Sequence, residues 1–303
     1  MYLKVELVDA QTASSIIATK DDYILNFSEF DLQSRLGTSE KVTQEDLVEF
    51  LSQQTVNWTN SEEIIINRIF DELTTTYPSY KEFLLDSLKV IKTTGREECN
   101  AAYTRGKCIY VPISMVRYPY DELKELIAHE LFHVVSTYNP KFRNELYIRL
   151  GFNPCPELDT PADYHHLYVS NPDTIGKNCY VEFQHNGAQK NAVPFLYAKS
   201  PYRGGYFFEY FRFTFLEVET NDIKCIPLYE NKRPKFIRAP QKLFDLCEEI
   251  DPYNNQHRLH PEEILAYYWS LLPFSESKLQ PYKKSYLTKI RNLLEQEGDS
   301  MLS

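Results

Sequence analysis

Hydrophobic and polar residues alternate with two different periods in the first third of the chain. An every-second-residue pattern predicts short strands at about 2–8 and about 22–28. Farther along, apolar residues recur every three or four positions, which is typical of amphipathic helices. Thr43 and Ser61 open two such segments, and a third runs from about Tyr80 to Lys92. The pattern therefore predicts two strands followed by three helices.

The rest of the chain mixes both patterns. Extended runs on either side of Gly106 predict a β-hairpin over 100–111, and an apolar helix follows from Tyr120 to just before Asn139. The later predicted elements are a helix near 141–150, a proline-rich loop over 152–176, strands between 178 and 230, and helices near 240–249, 261–272 and 281–296. This succession predicts a mixed α+β fold.

Charge and composition narrow the classes of function. Asp and Glu number 43 against 33 Lys and Arg, and the basic residues are dispersed, which argues against nucleic-acid binding. The N-terminus lacks the apolar stretch of a secretory signal, and no apolar run has the length of a membrane span. The six cysteines include no CxxC pair and are interpreted as free thiols in a reducing compartment. A cytoplasmic protein without nucleic-acid or membrane partners is therefore expected.

The segment His129-Glu130-Leu131-Phe132-His133 carries the candidate chemistry. Histidines four residues apart on a helix project from one face, so both imidazoles can bind one zinc ion. Glu130 is rotated by about 100° around the helix axis, where it reaches a metal-bound water without being a ligand. Zinc lowers the pKa of that water and polarises a carbonyl, and the carboxylate acts as general base. Apolar flanking residues favour this interpretation over the alternative of two satisfied core histidines.

A zinc site of this kind needs a third protein ligand, and a candidate lies far downstream. Glu262 and Glu263 follow Pro261 in the first turn of a predicted helix, from which one carboxylate can reach the metal. Glu263 is favoured, with Glu262 as the close alternative. Two acids at a helix N-terminus also have a purely structural explanation, because they complement the helix dipole. The predicted site is one Zn²⁺ bound by His129, His133 and Glu263, with Glu130 as the catalytic base.

These residues resemble the gluzincins, the zincin group that includes thermolysin and the clostridial neurotoxin light chains. The resemblance implies the same roles for the two histidines, Glu130 and Glu263, and it makes the hairpin Ala101–Val111 the edge strand that pairs with substrate backbone. A wider stretch, roughly 100–270, resembles a family of mostly uncharacterised zincin-like bacterial proteins. The implied fold is zincin-like, with the active-site helix packed beneath a small mixed sheet and edge hairpin, and a helical C-terminal part.

The sequence also departs from the gluzincin pattern. Tyr267 stands where thermolysin-like enzymes carry an Asp that steadies a zinc-bound histidine. Asn171 or Asp173 is the candidate replacement. The segment between the histidines and Glu263 is also longer than in the compact members of the group.

Several other side chains have suitable chemistry but weaker support. His165 and His166 lie in the proline-rich loop, a pattern typical of a solvated turn. His185, His257 and His260 are candidates for a second metal. The candidate donors to a transition state are Tyr202, Arg203, His185, His257 and Tyr267, and most of them are expected to be structural.

The function predicted from these features is that of a zinc metallopeptidase acting on a peptide or protein substrate. A zincin-fold binding module without turnover is the alternative, and hydrolysis of a non-peptide substrate is a third hypothesis. One zincin-like unit is expected over 1–303, with an N-terminal subregion 1–95 and a catalytic core 96–275. The acidic segment Leu293–Ser303 resembles the secretion tails of bacterial type IV effectors, which adds non-classical export to the cytoplasmic expectation; a frayed polar terminus is the other interpretation.

Overall fold

The computed structural model describes residues 3–76, 86–185, 187–237 and 260–298. Within these ranges helices combine with a four-stranded sheet, a six-stranded sheet and a two-stranded ribbon, which confirms the α+β class. No helix in the described ranges is both long enough and apolar enough to cross a lipid bilayer. The helix predicted near 240–249 and the last residues of the acidic tail lie outside these ranges.

The chain divides into two compact units. The first comprises Met1–Leu25, Val42–Pro140 and Leu265–Ser303, and the second comprises Asn26–Lys41 and Lys141–Ile264. The expectation of a single zincin-like unit with a catalytic core over 96–275 is not tested by this division and stays a prediction.

The first unit contains the four-stranded sheet, in the order β1-β2-β4-β3. Strands β1 to β4 are Lys4–Val8, Ser87–Thr93, Tyr103–Arg105 and Cys108–Pro112. β2 runs parallel to β1 and β4, whereas β3 is an antiparallel edge strand formed by the hairpin. Gly106 has a φ of 56°, the left-handed conformation that the hairpin turn uses. The strand predicted near 2–8 and the hairpin over 100–111 are confirmed.

The helix predicted from Tyr80 to Lys92 is wrong in its described part, where the chain forms β2. Leu88, Val90 and Ile91 are buried because β2 lies between two parallel neighbours and both of its faces are covered. A strand in that position has a nearly continuous apolar run, which periodicity alone does not distinguish from a buried helix.

The helices within the described ranges are numbered α1 to α9 in chain order. They span Ala10–Ile17, Asp22–Leu25, Glu29–Leu36, Gln44–Ser52, Asn60–Thr76, Tyr120–Tyr138, Pro140–Arg149, Pro261–Ser270 and Pro281–Gly298. Thr43 and Asp46 form a capping box at the start of α4, as the sequence predicts. The strand predicted at 22–28 is wrong, because the Asp21 carboxylate accepts from the Ile24 backbone N at 3.2 Å and stabilises the short helix α2.

The helix α6 carries the HExxH segment and packs against β3 and β4. Asp121 and Glu122 in its first turn complement the positive end of the helix dipole. The helix ends at Tyr138, and Asn139 precedes a proline, a position that disfavours helical backbone. Its bounds confirm the predicted helix from Tyr120 to just before Asn139.

The second unit is built on the six-stranded sheet, ordered β12-β8-β7-β6-β5, with β9 also paired to β8. Strands β5 to β12 are Phe152–Pro154, Cys179–His185, Ala188–Ala198, Phe211–Thr220, Cys225–Pro227, Tyr229–Glu230, Arg233–Pro234 and Phe236–Ile237. These elements confirm the strands predicted between 178 and 230, except that Phe207–Tyr210 forms a 3-10 turn. The helix α3 was not predicted; it is tied down by a buried ion pair between Asp31 and Arg35 at 2.8 Å.

Glu97 is a fully buried carboxyl in the 3-10 turn that follows β2. Among the described residues, neither of its carboxylate oxygens has a hydrogen-bond partner. Burial, with a contribution from the negative charge of Glu98, raises the pKa of Glu97 from 4.5 to about 7. The ionised side chain is therefore disfavoured in the folded protein.

This raised pKa predicts a loss of stability as the pH rises. The folded state binds the Glu97 proton more tightly than the unfolded state, so its contribution is fully present below about pH 4.5 and is lost up to about pH 7. We expect this group to lower the free energy of unfolding by on the order of 3 kcal/mol across that window. Urea unfolding at several pH values should show the decline in wild type and in the exposed control Glu6→Gln, but a much smaller one in Glu97→Gln. An unchanged decline in Glu97→Gln would contradict the prediction.

Candidate metal centre

His129 and His133 project from the same face of α6. Their Nε2 atoms are 3.1 Å apart, and the two rings are nearly perpendicular with centroids separated by 4.8 Å. Two nitrogens that each bind one zinc ion at about 2.0–2.1 Å are expected to lie about 3.0–3.5 Å apart, so the pair fits a shared ion. His133 is buried and His129 is half-buried.

Glu130 lies on the helical turn between the two histidines and is held by the sheet. The Thr104 hydroxyl, in the edge strand β3, donates to Glu130 Oε2 at 3.0 Å. Glu130 is 3% exposed, and a carboxylate buried to this extent is stable only with polar partners. Thr104 therefore orients the carboxylate that the sequence identifies as the candidate base.

The first turn of α8 carries Glu263, the favoured third ligand. The helix continues without interruption to Trp269, which packs against Phe132 of α6 with ring centroids 5.5 Å apart. Two imidazoles and one carboxylate are a donor set suited to zinc, with the fourth position left for water or substrate. The ligand roles themselves stay predictions.

Asn171 braces the Glu263 side chain. Its Nδ2 donates to Glu263 Oε1 at 3.1 Å, and its Oδ1 accepts from the Asp173 backbone N at 3.0 Å. The second bond fixes the orientation of the amide, so its NH₂ group faces the carboxylate. Outer-sphere partners of this kind hold a ligating group in position.

Glu262 has surroundings quite different from those of Glu263. Its side chain is fully buried, with Lys177 Nζ donating to Oε1 at 2.6 Å and the Tyr147 hydroxyl donating to Oε2 at 2.6 Å. The Glu262 backbone N donates to Nδ1 of His260 at 3.2 Å. Burial lowers the pKa of His260 to about 4, so this imidazole is neutral at physiological pH. Because both carboxylate oxygens of Glu262 already accept hydrogen bonds from buried partners, the arrangement favours Glu263 over Glu262 as the candidate ligand.

No protein-family model, curated protein or solved structure matches the chain. The gluzincin relationship therefore stays a prediction.

The other candidates from the sequence have mainly structural surroundings. The Tyr202 hydroxyl donates to the Gly205 carbonyl at 3.0 Å. Tyr267 is buried and packs against Tyr286, with ring centroids 6.0 Å apart. His165 Nε2 lies 2.6 Å from the Thr160 carbonyl, in keeping with a turn. His257 and the side chain of His185 lie outside the described residues.

Of the residues that support the candidate centre, Asn171 was named from the sequence, as a partner for a zinc-bound histidine, and the structure places its amide on Glu263. Thr104, Tyr147 and Lys177 were not found from the sequence. Thr104 looks like any β-branched residue in a strand. Tyr147 and Lys177 are 115 and 85 positions from Glu262. The one available signal was the pairing rule that a buried carboxylate needs a cation or hydroxyl partner, and that rule does not say which residue supplies it.

Proposed function

We propose that this protein is a zinc-dependent hydrolase of the zincin type, and specifically a metallopeptidase. The observation that carries the proposal is the position of the His129 and His133 Nε2 atoms, 3.1 Å apart on one face of α6, with the buried carboxylate of Glu130 on the same helix. The contact of α6 with the antiparallel edge strand of a mixed sheet supports a zincin-like fold. One Zn²⁺ would be bound by His129, His133 and Glu263.

Each residue of the candidate site would have a distinct role in hydrolysis. Bound zinc supplies a Lewis acid that polarises a carbonyl and lowers the pKa of water. Glu130 accepts a proton at its carboxylate and returns it to the departing amine. The Thr104 hydroxyl, 3.0 Å from Oε2, keeps that carboxylate in one orientation. Asn171 does the same for Glu263.

A peptide substrate is favoured because an edge strand can pair with an extended chain. In the present conformation, however, Tyr103, Thr104 and Arg105 of β3 are only 2%, 4% and 6% exposed. Arg105 is also anchored by the carbonyls of Ile17 and Thr19 at 3.0 and 2.9 Å. Peptide pairing along β3 would therefore require the surrounding residues to move.

The burial of strand β3 supports a second candidate function, a zincin-fold binding module without turnover. In that case Glu130 would be a structural partner of Thr104, and β3 would not receive a peptide. The two functions make different predictions about the Glu130 carboxylate.

Replacing Glu130 with glutamine separates these functions. We expect wild type and Glu130→Gln to contain equal zinc by plasma emission, and the variant to generate new protein N-termini in a lysate at least about 100-fold more slowly, because the base is lost. The matched control is Glu122→Gln, an exposed change on the same helix, which should cleave like wild type. Zinc-loaded wild type that cuts nothing would favour the binding module, and wild type without zinc would overturn both functions.

A further inference from the structure

Two cysteines of the second unit lie side by side, away from the candidate metal ligands. Cys155 directly follows β5, and Cys225 is the first residue of β9. Cys155 packs against the buried cluster that contains Cys225, and the two thiols interact through a side-chain hydrogen bond. Both are free thiols in this structure. The fold therefore brings together two thiols that are far apart in the sequence.

Backbone hydrogen bonds hold both cysteines in place. The Cys155 backbone N donates to the Asn178 carbonyl at 3.2 Å, and the Cys225 carbonyl accepts from the Asp159 backbone N at 2.9 Å. Leu158 also forms a parallel bridge with Cys225. The proximity of the two thiols is thus built into the sheet and the segment beside it, and does not depend on side-chain rotamers alone.

The two thiols differ in acidity. The hydrogen bond with Cys155 and, to a lesser extent, that with Thr220 lower the pKa of Cys225. The hydrogen bond with Cys225, together with burial, raises the pKa of Cys155. Cys225 is 1% exposed, whereas Cys155 is partly exposed. A small oxidant can therefore reach the pair from the Cys155 side, and Cys225 is the sulphur more readily ionised.

We propose that Cys155 and Cys225 are a reversible oxidation site that closes to a disulfide when the protein meets a peroxide. The Cys225 thiolate attacks one peroxide oxygen, the O–O bond breaks, and the other oxygen leaves as water after protonation. The Cys155 sulphur then attacks the resulting sulfenic acid and displaces a second water as the S–S bond forms. Two thiols are oxidised and one peroxide is reduced to two waters.

The disulfide would link the segment that follows β5, which contains Cys155, to strand β9, which begins at Cys225. Val193, Phe195, Leu216 and Val218 of β7 and β8 form a buried cluster with Cys225, and Cys155, Leu158, Tyr164 and Tyr168 pack against it. A disulfide would join these two packed segments covalently and reduce the conformational entropy of the unfolded chain. Oxidation is therefore expected to raise the melting temperature of the protein. This inference does not depend on the proposed zinc chemistry.

Oxidation of the full-length protein tests the inference directly. After brief treatment with hydrogen peroxide and alkylation of the remaining thiols, non-reducing peptide mapping should find Cys155 linked to Cys225, and dithiothreitol should reverse the link and the rise in melting temperature. Cys155→Ala and Cys225→Ala should each abolish both effects. The wild-type map needs no variant, so a misfolded variant does not weaken the test. Sulfinic acid at either position without a linked peptide, or linkage to another cysteine, would overturn the inference.

Discussion

Replacing Glu263 with glutamine is expected to weaken zinc binding by more than about 100-fold, beyond the usual cost of losing an outer-sphere partner. An amide is a much poorer ligand than a carboxylate, and two imidazoles alone bind zinc weakly. The neighbouring change Glu262→Gln should leave the ligand set intact, because Glu262 faces Lys177 and Tyr147. Competition with a chromogenic chelator measures both affinities.

This adjacent pair of substitutions controls for charge and for position in the helix. Each variant loses one negative charge from the first turn of α8, and each should be checked for a folded far-UV circular dichroism spectrum at the assay temperature. Equal losses of affinity would show that the helix N-terminus matters only through its charge. A loss confined to Glu262→Gln would place the third ligand one residue earlier.

Replacing Lys177 with methionine is expected to lower the free energy of unfolding by about 3–5 kcal/mol, because it leaves Glu262 buried without its cation. Lys177 and Glu262 are 3% and 0% exposed and 2.6 Å apart, so solvent cannot take over the lost interaction. Urea unfolding measures the difference.

Two further variants show whether this effect comes from burial. Lys177→Met combined with Glu262→Leu removes both charges and should recover part of the loss, since apolar side chains can replace a buried ion pair. Lys20→Met breaks the exposed pair between Lys20 and Glu45 and should cost no more than about 1 kcal/mol. Similar losses at Lys177 and Lys20 would contradict the explanation.

The sequence predicts elements whose signal is local. The helix α6 shows its periodicity within a few turns, and the placing of His129 and His133 on one face follows from helix geometry alone. The hairpin around Gly106 and the start of α4 at Thr43 likewise depend on neighbouring residues. The structure confirms each of these elements.

Elements and contacts set by distant residues were not predictable in the same way. β2 was interpreted as a helix because its apolar run reflects two flanking strands that are remote in sequence. Glu262 and Glu263 are chemically identical and adjacent, yet Glu262 binds Lys177 and Glu263 accepts from Asn171. A single sequence contains no local signal for that difference.

The edges of the four-stranded sheet have a consequence for self-association. An open strand edge can recruit a second copy through backbone pairing, which is how many β-proteins begin to aggregate. Here β3 is enclosed by its surroundings, and the opposite edge strand β1 turns the charged residues Lys4 and Glu6 towards solvent. Neither edge strand favours backbone pairing with a second molecule, so we expect concentrated solutions not to form fibrils through this sheet.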